Sequence, residues 1–216
     1  MNYLKDTYRQ KGKRRLLIEE LKSKGITDEL ILNAFDKIPR HYFLDLAFED
    51  QAYSNMAFQI GSGQTISHPY TVAFQTQLLE VSKGLKILEI GTGSGFQTCI
   101  LCQLGAKVIT IERHRDLQMK AKKMLEFFNF NAKSFFGDGY RGKKEFGPFD
   151  RILVTCGAPE IPQSLLDQLK WDGIMIVPVG SGKDQKMLKI VRNKTDLKIS
   201  EFGTFKFVPM LERTVK

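Results

Sequence analysis

The chain has 216 residues, with 42% hydrophobic and 26% charged residues, which is enough for one unstapled globular core and too rich in apolar residues for a disordered chain. Net charge is +9, and Lys5, Arg9, Lys11, Lys13, Arg14 and Arg15 crowd the first fifteen residues. A basic face of this kind attracts nucleic acid or decorates a solvated helix, and charge alone does not choose between them.

The N-terminal stretch is charged with no apolar run behind it, so it does not read as a secretory leader, and the longest apolar runs, ILEI and IMIVPV, are strand-sized. Three cysteines, Cys99, Cys102 and Cys156, make a poor disulfide framework and suit a reducing compartment, so the expected location is cytoplasmic.

Residues 8 to 24 have apolar positions at helical spacing (Leu17, Ile18, Leu21), and Gly25 ends the run. Thr27 is expected to cap a second helix with Leu30, Ile31, Ala34, Phe35 and Ile38 as its buried stripe, stopped by Pro39. Residues 40 to 68 have no clean period, and an irregular stretch of that length is usually functional. A third helix is expected from Pro69 to Val81.

From Leu85 onward strands and helices alternate. Strands are expected at Lys86–Ile90, Lys107–Ile111, Ala132–Phe136, Phe149–Thr155 and Gly173–Pro178, with helices near 96–104, 115–128 and 163–169. This rhythm predicts an α/β, doubly wound, mostly parallel sheet with ligands at the carboxyl ends of its strands. Two more strands, near Met187–Arg192 and Phe202–Val208, lack intervening helices and close the sheet as an antiparallel hairpin, giving seven strands. The whole chain is expected to be one domain, with helices and a substrate loop over 1–82 and the sheet core over 83–216.

The first of these strands runs into Glu89-Ile90-Gly91-Thr92-Gly93-Ser94-Gly95. Glycines there allow a sharp turn and close approach of a ligand to the main chain, and the next helix points free N–H groups at it. A dinucleotide fingerprint would put its third glycine at position 96, which is Phe96. The second strand ends at Glu112, 21 residues after Gly91, where a carboxylate can accept from both hydroxyls of a ribose. The third runs into Gly137-Asp138-Gly139, where a carboxylate can accept from an adenine amino group. Three acids at three strand tips point to an adenosine-containing ligand. Ser67, just before Pro69, has from position alone the ordinary role of a helix N-cap.

The E-x-G-x-G-x-G run resembles the first motif of the Rossmann-like methyltransferases. Taken in order, IGSGQTISHPY, LEIGTGSGFQT, IER, GDGY, FDRILVTCGAPEIPQSLLDQLKWDG and FKFVPM resemble the protein-L-isoaspartate O-methyltransferase family across residues 35 to 211. The resemblance implies methyl transfer from S-adenosyl-L-methionine, leaving S-adenosyl-L-homocysteine, to the free carboxylate of isoaspartyl residues in age-damaged proteins, with no metal. It implies that Ser67 is catalytic. It assigns the cofactor to Glu89, Gly91, Thr92, Gly93, Ser94, Gly95, Glu112, Arg113, Asp138, Gly139 and Thr155. Substrate contacts would fall on Ile60, Gly61, Thr65, Ile66, Val208 and Pro209. A monomer is expected, with neither nucleic acid nor membrane as partner. The residue after Ser67, commonly Gln or small in that family, is His68.

Two rival readings attach to the cysteines. Cys99 and Cys102 form C-x-x-C inside a helix, where buried core thiols are the ordinary account and metal binding would need more ligands. Cys156 follows the fourth strand, where enzymes that methylate pyrimidine C5 carry a nucleophile, which keeps an RNA methyltransferase as the alternative. Its Thr155-Cys156-Gly157 context departs from theirs, and the D/N-P-P-Y/F run of amino-directed methylases is missing. A non-catalytic cofactor-binding module is the third class.

Overall fold

A computed structural model describes residues 5–215, so the first four residues of the N-terminal stretch lie outside it. Helix α1 (Tyr8–Ser23) starts with a capping box in which Thr7 and Gln10 satisfy each other's main-chain N–H groups. Helix α2 (Glu29–Lys37) is capped by Asp28 rather than Thr27. The Asp28 carboxylate accepts from Leu30 N–H at 2.9 Å. The helix therefore starts one residue later than expected, and its stripe shifts: Leu30 is 66% exposed, whereas Leu32 is buried with Ile31, Ala34 and Phe35.

The stretch between α2 and the next helix is not irregular throughout. Two 3-10 turns, Arg40–Phe43 and Leu46–Gln51, lead into a small hairpin of β1 (Phe58–Gly61) and β2 (Gln64–Ile66), with Phe58 opposite Ile66 and Gln59 opposite Thr65. Its bend runs through Gly61, Ser62 and Gly63, all at positive φ. Strands this short carry too few residues to register as alternation in the sequence. Helix α3 (Pro69–Leu79) follows and ends with Glu80 in the left-handed conformation, two residues before the expected end.

The main sheet has seven strands in the order β5-β4-β3-β6-β7-β8-β9. These are β3 (Lys86–Ile90), β4 (Lys107–Glu112), β5 (Lys133–Phe136), β6 (Phe149–Val154), β7 (Leu169–Val179), β8 (Gln185–Arg192) and β9 (Leu197–Phe205). β5 through β7 run parallel, and β8 and β9 close the sheet antiparallel. The last strand begins five residues earlier than its pattern suggested and leaves the sheet at Phe205, because as an edge strand it is half solvated and its apolar alternation is diluted.

Helices α3, α4 (Phe96–Gln103) and α5 (Arg115–Phe127) lie on one face, and the single-turn α6 (Gln163–Leu166) lies on the other. Alternation in β3 shows the division: Ile87 packs toward Leu79 and Leu101, while Leu88 and Ile90 pack toward Leu165. The N-terminal helices are not a separate layer. Leu17, Ile31 and Phe35 share one apolar cluster with Phe96, Ile100 and Leu125. Parallel β3, β4 and β6 all present their carboxyl ends to the same edge, beside which the β1–β2 hairpin and Ser67 also lie.

Candidate active site

At that edge β3 breaks into the turn Gly91–Gly95. Gly91 has φ +92, and a Cβ on it would stand 2.5 Å from the Thr155 hydroxyl, so this position requires glycine on two counts. Thr155, just past β6, places its hydroxyl 2.9 Å from the Ile90 carbonyl and 2.7 Å from that of Gly91, tying the turn to the neighbouring strand. On the other side, the Glu112 carboxylate accepts from Gly93 N–H at 2.8 Å and His114 N–H at 2.9 Å. Thr92 is buried against the Thr110 hydroxyl at 2.7 Å. The turn is therefore fixed from both flanking strands. Ser94 N–H and Gln97 N–H, at the start of α4, donate to no other described residue.

Two adjoining cavities meet at Gly91. One, of about 50 Å³, is lined by Ile90, Glu112, Arg113, Gly139, Pro209, Met210 and Leu211. The other, of about 40 Å³, is lined by Thr65, Ser67, Gly93, Ser94, Gln97 and Thr155, with Ile66 and Thr92 behind them. A wider cleft of about 420 Å³ opens beyond Asp138. Gly139 lets the main chain lie against Ile90, since a Cβ there would fall 2.5 Å from Ile90 Cγ2. Acid acceptors beside an apolar wall, next to a turn with free N–H groups, fit an adenosine joined to an amino acid.

Ser67 does not cap α3. The N-cap position is His68, whose side chain makes no capping bond, and Ser67's hydroxyl has no partner among the described residues. His68 is only partly covered, and that cover together with the charge of Arg40 lowers its pKa below the ordinary 6.5. Arg40 itself is fully buried. It donates to the Met56 carbonyl at 3.1 Å and lies over the Phe96 ring, while its Nε and Nη1 have no partner among the described residues. Burial pushes its pKa down to about 9.

Of the other expected site residues, Glu89, Gly95, Asp138, Ile60, Gly61 and Val208 line neither of the two small cavities. Glu89 is 0% exposed and sits under the turn on the α4 side, accepting from the Thr98 hydroxyl at 2.5 Å, and burial pushes its pKa up to about 7. Gly95 packs against Ala121 of α5. Asp138 accepts from Tyr140 N–H and from Arg213 N–H, each at 2.9 Å. Ile60 borders a pocket of about 270 Å³ beside Lys120 and Lys123 that shares Gly93 and Ser94 with the Ser67 cavity, and Gly61 is exposed at the hairpin tip. The Val208 carbonyl accepts from Gly157 N–H, and Pro209 bridges to Gly157.

Residues that the sequence did not flag also line the cavities: Gln64, Met210 and Leu211 in one, Val72, Gln75, Phe96 and Gln97 in the other. Gln75 and Gln97 are both buried, but α3 and α4 carry other polar residues, such as Thr76 and Thr98, from which the sequence does not distinguish them. Met210 and Leu211 follow the last strand with no pattern of their own.

The cysteines are all free. Burial pushes the Cys156 thiol up to about 12, which leaves no thiolate to act as a nucleophile at neutral pH, and Cys102 behaves alike. Of the six basic residues at the N-terminus, three have acidic partners: Arg14 is buried against Asp6, Asp36 and Tyr53, and Arg9 and Lys13 share Asp50.

The family profile for protein-L-isoaspartate(D-aspartate) O-methyltransferase (PCMT) matches residues 12–215. A protein-L-isoaspartate O-methyltransferase of Christiangramia forsetii is 53% identical over 210 residues, spanning 97% of this chain and 99% of that protein. One from Cytophaga hutchinsonii is 53% identical over 209 residues, 96% of this chain and 95% of its own. Among solved structures, a protein-L-isoaspartate O-methyltransferase superposes with TM-score 0.83 at 29% identity, covering 91% of this chain and 65% of that longer one. A Plasmodium falciparum homologue of this type, in complex with S-adenosyl-L-homocysteine, superposes with TM-score 0.80 at 26% identity over 92% of this chain and 98% of its own.

Proposed function

The chain belongs to the protein-L-isoaspartate(D-aspartate) O-methyltransferase family, S-adenosyl-L-methionine-dependent enzymes acting on damaged proteins, and from that premise we infer how its own residues divide the work. When bound, S-adenosyl-L-methionine supplies a methyl group on a positively charged sulfur. Glu112 accepts from the ribose hydroxyls with the lone pairs left over from Gly93 and His114. Asp138 and the main chain at Gly139 take the adenine. The N–H groups of Ser94 and Gln97 meet the amino-acid carboxylate, with Gly91, Thr92, Gly93 and Thr155 shaping the bend. Glu89 and Gly95 support the turn from beneath rather than touch the ligand.

The acceptor is the free α-carboxylate of an isoaspartyl residue. With a reference pKa near ~3.5 it is already an anion at pH 7, so no general base is required. What the protein must supply is orientation and exclusion of water. Ser67 donates its hydroxyl to that carboxylate, and Ile60, Gly61, Thr65, Ile66 and the Val208–Pro209 turn hold the flanking main chain. The observation that carries this assignment is the Ser67 hydroxyl, without a partner among the described residues and on a residue lining the same cavity as Gly93 and Ser94.

The cluster joining the N-terminal helices to α4 and α5 supports a single domain over the whole chain. Free thiols support a cytoplasmic location, and no helix among the described residues is long and apolar enough to cross a membrane. Pairing of Arg9, Lys13 and Arg14 with acids favours the reading without a nucleic-acid partner, and access for a bulky protein substrate favours a monomer.

Incubation with methyl-labelled S-adenosyl-L-methionine and matched isoaspartyl and aspartyl peptides tests the assignment. Base-labile label on the isoaspartyl peptide alone is expected. Label that survives mild base, equal labelling of both peptides, or transfer to tRNA would refute it.

A further inference from the structure

Arg113 follows Glu112 at the tip of β4 and lines the cavity with it, and its guanidinium reaches the C-terminal residues. Nε donates to the Arg213 carbonyl at 3.0 Å and Nη2 to the Glu212 carbonyl at 3.3 Å. The rigid fork of an arginine suits two successive carbonyls, which a lysine would not span. The segment so gripped crosses the edge of the sheet. Met210 N–H donates to the Gly157 carbonyl at 2.7 Å, and the Tyr140 hydroxyl to the Met210 carbonyl at 3.3 Å. Beyond the grip, Val215 N–H donates to the Arg113 carbonyl at 2.7 Å and Arg115 N–H to that of Val215 at 3.1 Å.

Between these anchors Arg213 is held at φ +66 while its N–H meets Asp138. A non-glycine residue in that region persists only where its surroundings over-determine it. The cavity bounded by Glu112 and Gly139 is about 50 Å³, and Met210 and Leu211 line one side of it. Sites for small ligands run to roughly 300 Å³ and more, so an adenosyl group must extend from this cavity into the cleft beyond Asp138, which Arg213 and Thr214 border.

We propose that Arg113 is a positioning residue for the cofactor, acting through residues 210–215, which it fastens as a latch over the adenosyl end of the site. The proposal rests on the assignment of Glu112, Asp138 and Gly139 to the adenosyl group. The latch covers the cofactor rather than competing with it, because a carboxylate has about four acceptor positions and Asp138 spends two of them within the protein.

The test is stopped-flow release of S-adenosyl-L-homocysteine from the intact protein, from Arg113→Ala, from a chain ending at Leu211, and from the two changes combined. Release is expected to be about tenfold faster in each single variant, the factor for losing two or three modest hydrogen bonds. The combination should be no faster than the truncation, because both remove one device. In the intact protein the amide N–H groups of Arg213 and Val215 should exchange more slowly once S-adenosyl-L-homocysteine is added, a readout that needs no variant to fold. Release within twofold of the intact protein in both single variants, or tail amides indifferent to the ligand, would overturn the latch. Ligand that binds with no loss of affinity in Glu112→Ala, together with indifferent tail amides, would overturn the adenosyl assignment and the latch with it.

Discussion

Gly91 offers the sharpest test of how the turn is built, because two separate penalties meet there. Replacing it by Ala forces a Cβ onto a residue at φ +92, which costs about 1–2 kcal/mol. The same Cβ would stand 2.5 Å from the Thr155 hydroxyl. That oxygen cannot simply turn aside: it is within bonding distance of the Ile90 and Gly91 carbonyls, and rotating a β-branched side chain gives up those contacts and moves its methyl group as well. Overpacking of this kind costs about 1–3 kcal/mol, so Gly91→Ala should lose about 2–5 kcal/mol in all.

Thr155→Ala removes the oxygen and leaves its Cβ at 3.8 Å, an ordinary contact. Alone it should cost about 0.5–1.5 kcal/mol, for the lost hydrogen bonding. In that background the steric part of Gly91→Ala disappears and only the φ part remains. The double variant should therefore be more stable than the sum of the singles predicts, by about 1–3 kcal/mol. Urea unfolding of the four proteins, with the slope checked for constancy, measures this coupling. Additivity within about 0.5 kcal/mol would refute the claim that Thr155 and Gly91 occupy one steric slot.

Ser67→Ala should lower kcat severalfold or more while leaving affinity for S-adenosyl-L-homocysteine and unfolding free energy unchanged, because the hydroxyl makes no capping bond; a parallel loss of stability would return Ser67 to a structural role. Burial raises the Glu89 pKa from its ordinary 4.5 to about 7, so the folded state binds more protons than the unfolded one in that interval. The stability Glu89 contributes is complete below about pH 4.5 and is lost as pH rises through about 7, at up to about 1.4 kcal/mol per pH unit. Glu89→Gln should flatten that decline in denaturation curves taken from pH 5 to 8, and an unaltered slope would assign it to other groups. Arg40→Met, which keeps a chain over Phe96 but removes the charge, should raise the His68 pKa in an NMR titration; an unmoved resonance would show that Arg40 exerts no field at the Ser67 corner.

Three links in this protein are visible in the chain itself. Apolar runs separated by helical periods fix the strand–helix rhythm, because strands of a parallel sheet are buried on both faces and read as continuous hydrophobic stretches. Gly91, Gly93 and Gly95 are legible because a turn at positive φ selects glycine directly, and Glu112 and Asp138 because acids at strand tips stand out against apolar strands. Ser67 had an address in the chain but an ambiguous job, and only the displacement of the cap by one residue, onto His68, frees its hydroxyl.

Everything governed by long-range contact escaped the one-dimensional pattern. The β1–β2 hairpin is too short to show a period. The burial of Glu89 depends on α4 lying over β3, and the grip of the Arg113 guanidinium on the tail depends on residues 99 and 100 positions away. Residues 210–215 have no amphipathic signature because their bonds are main chain to main chain or to side chains of other strands, and such bonds place no demand on side-chain type. Local sequence could specify where a ligand's edge would be; which part of the chain folds back to cover it was settled only by tertiary packing.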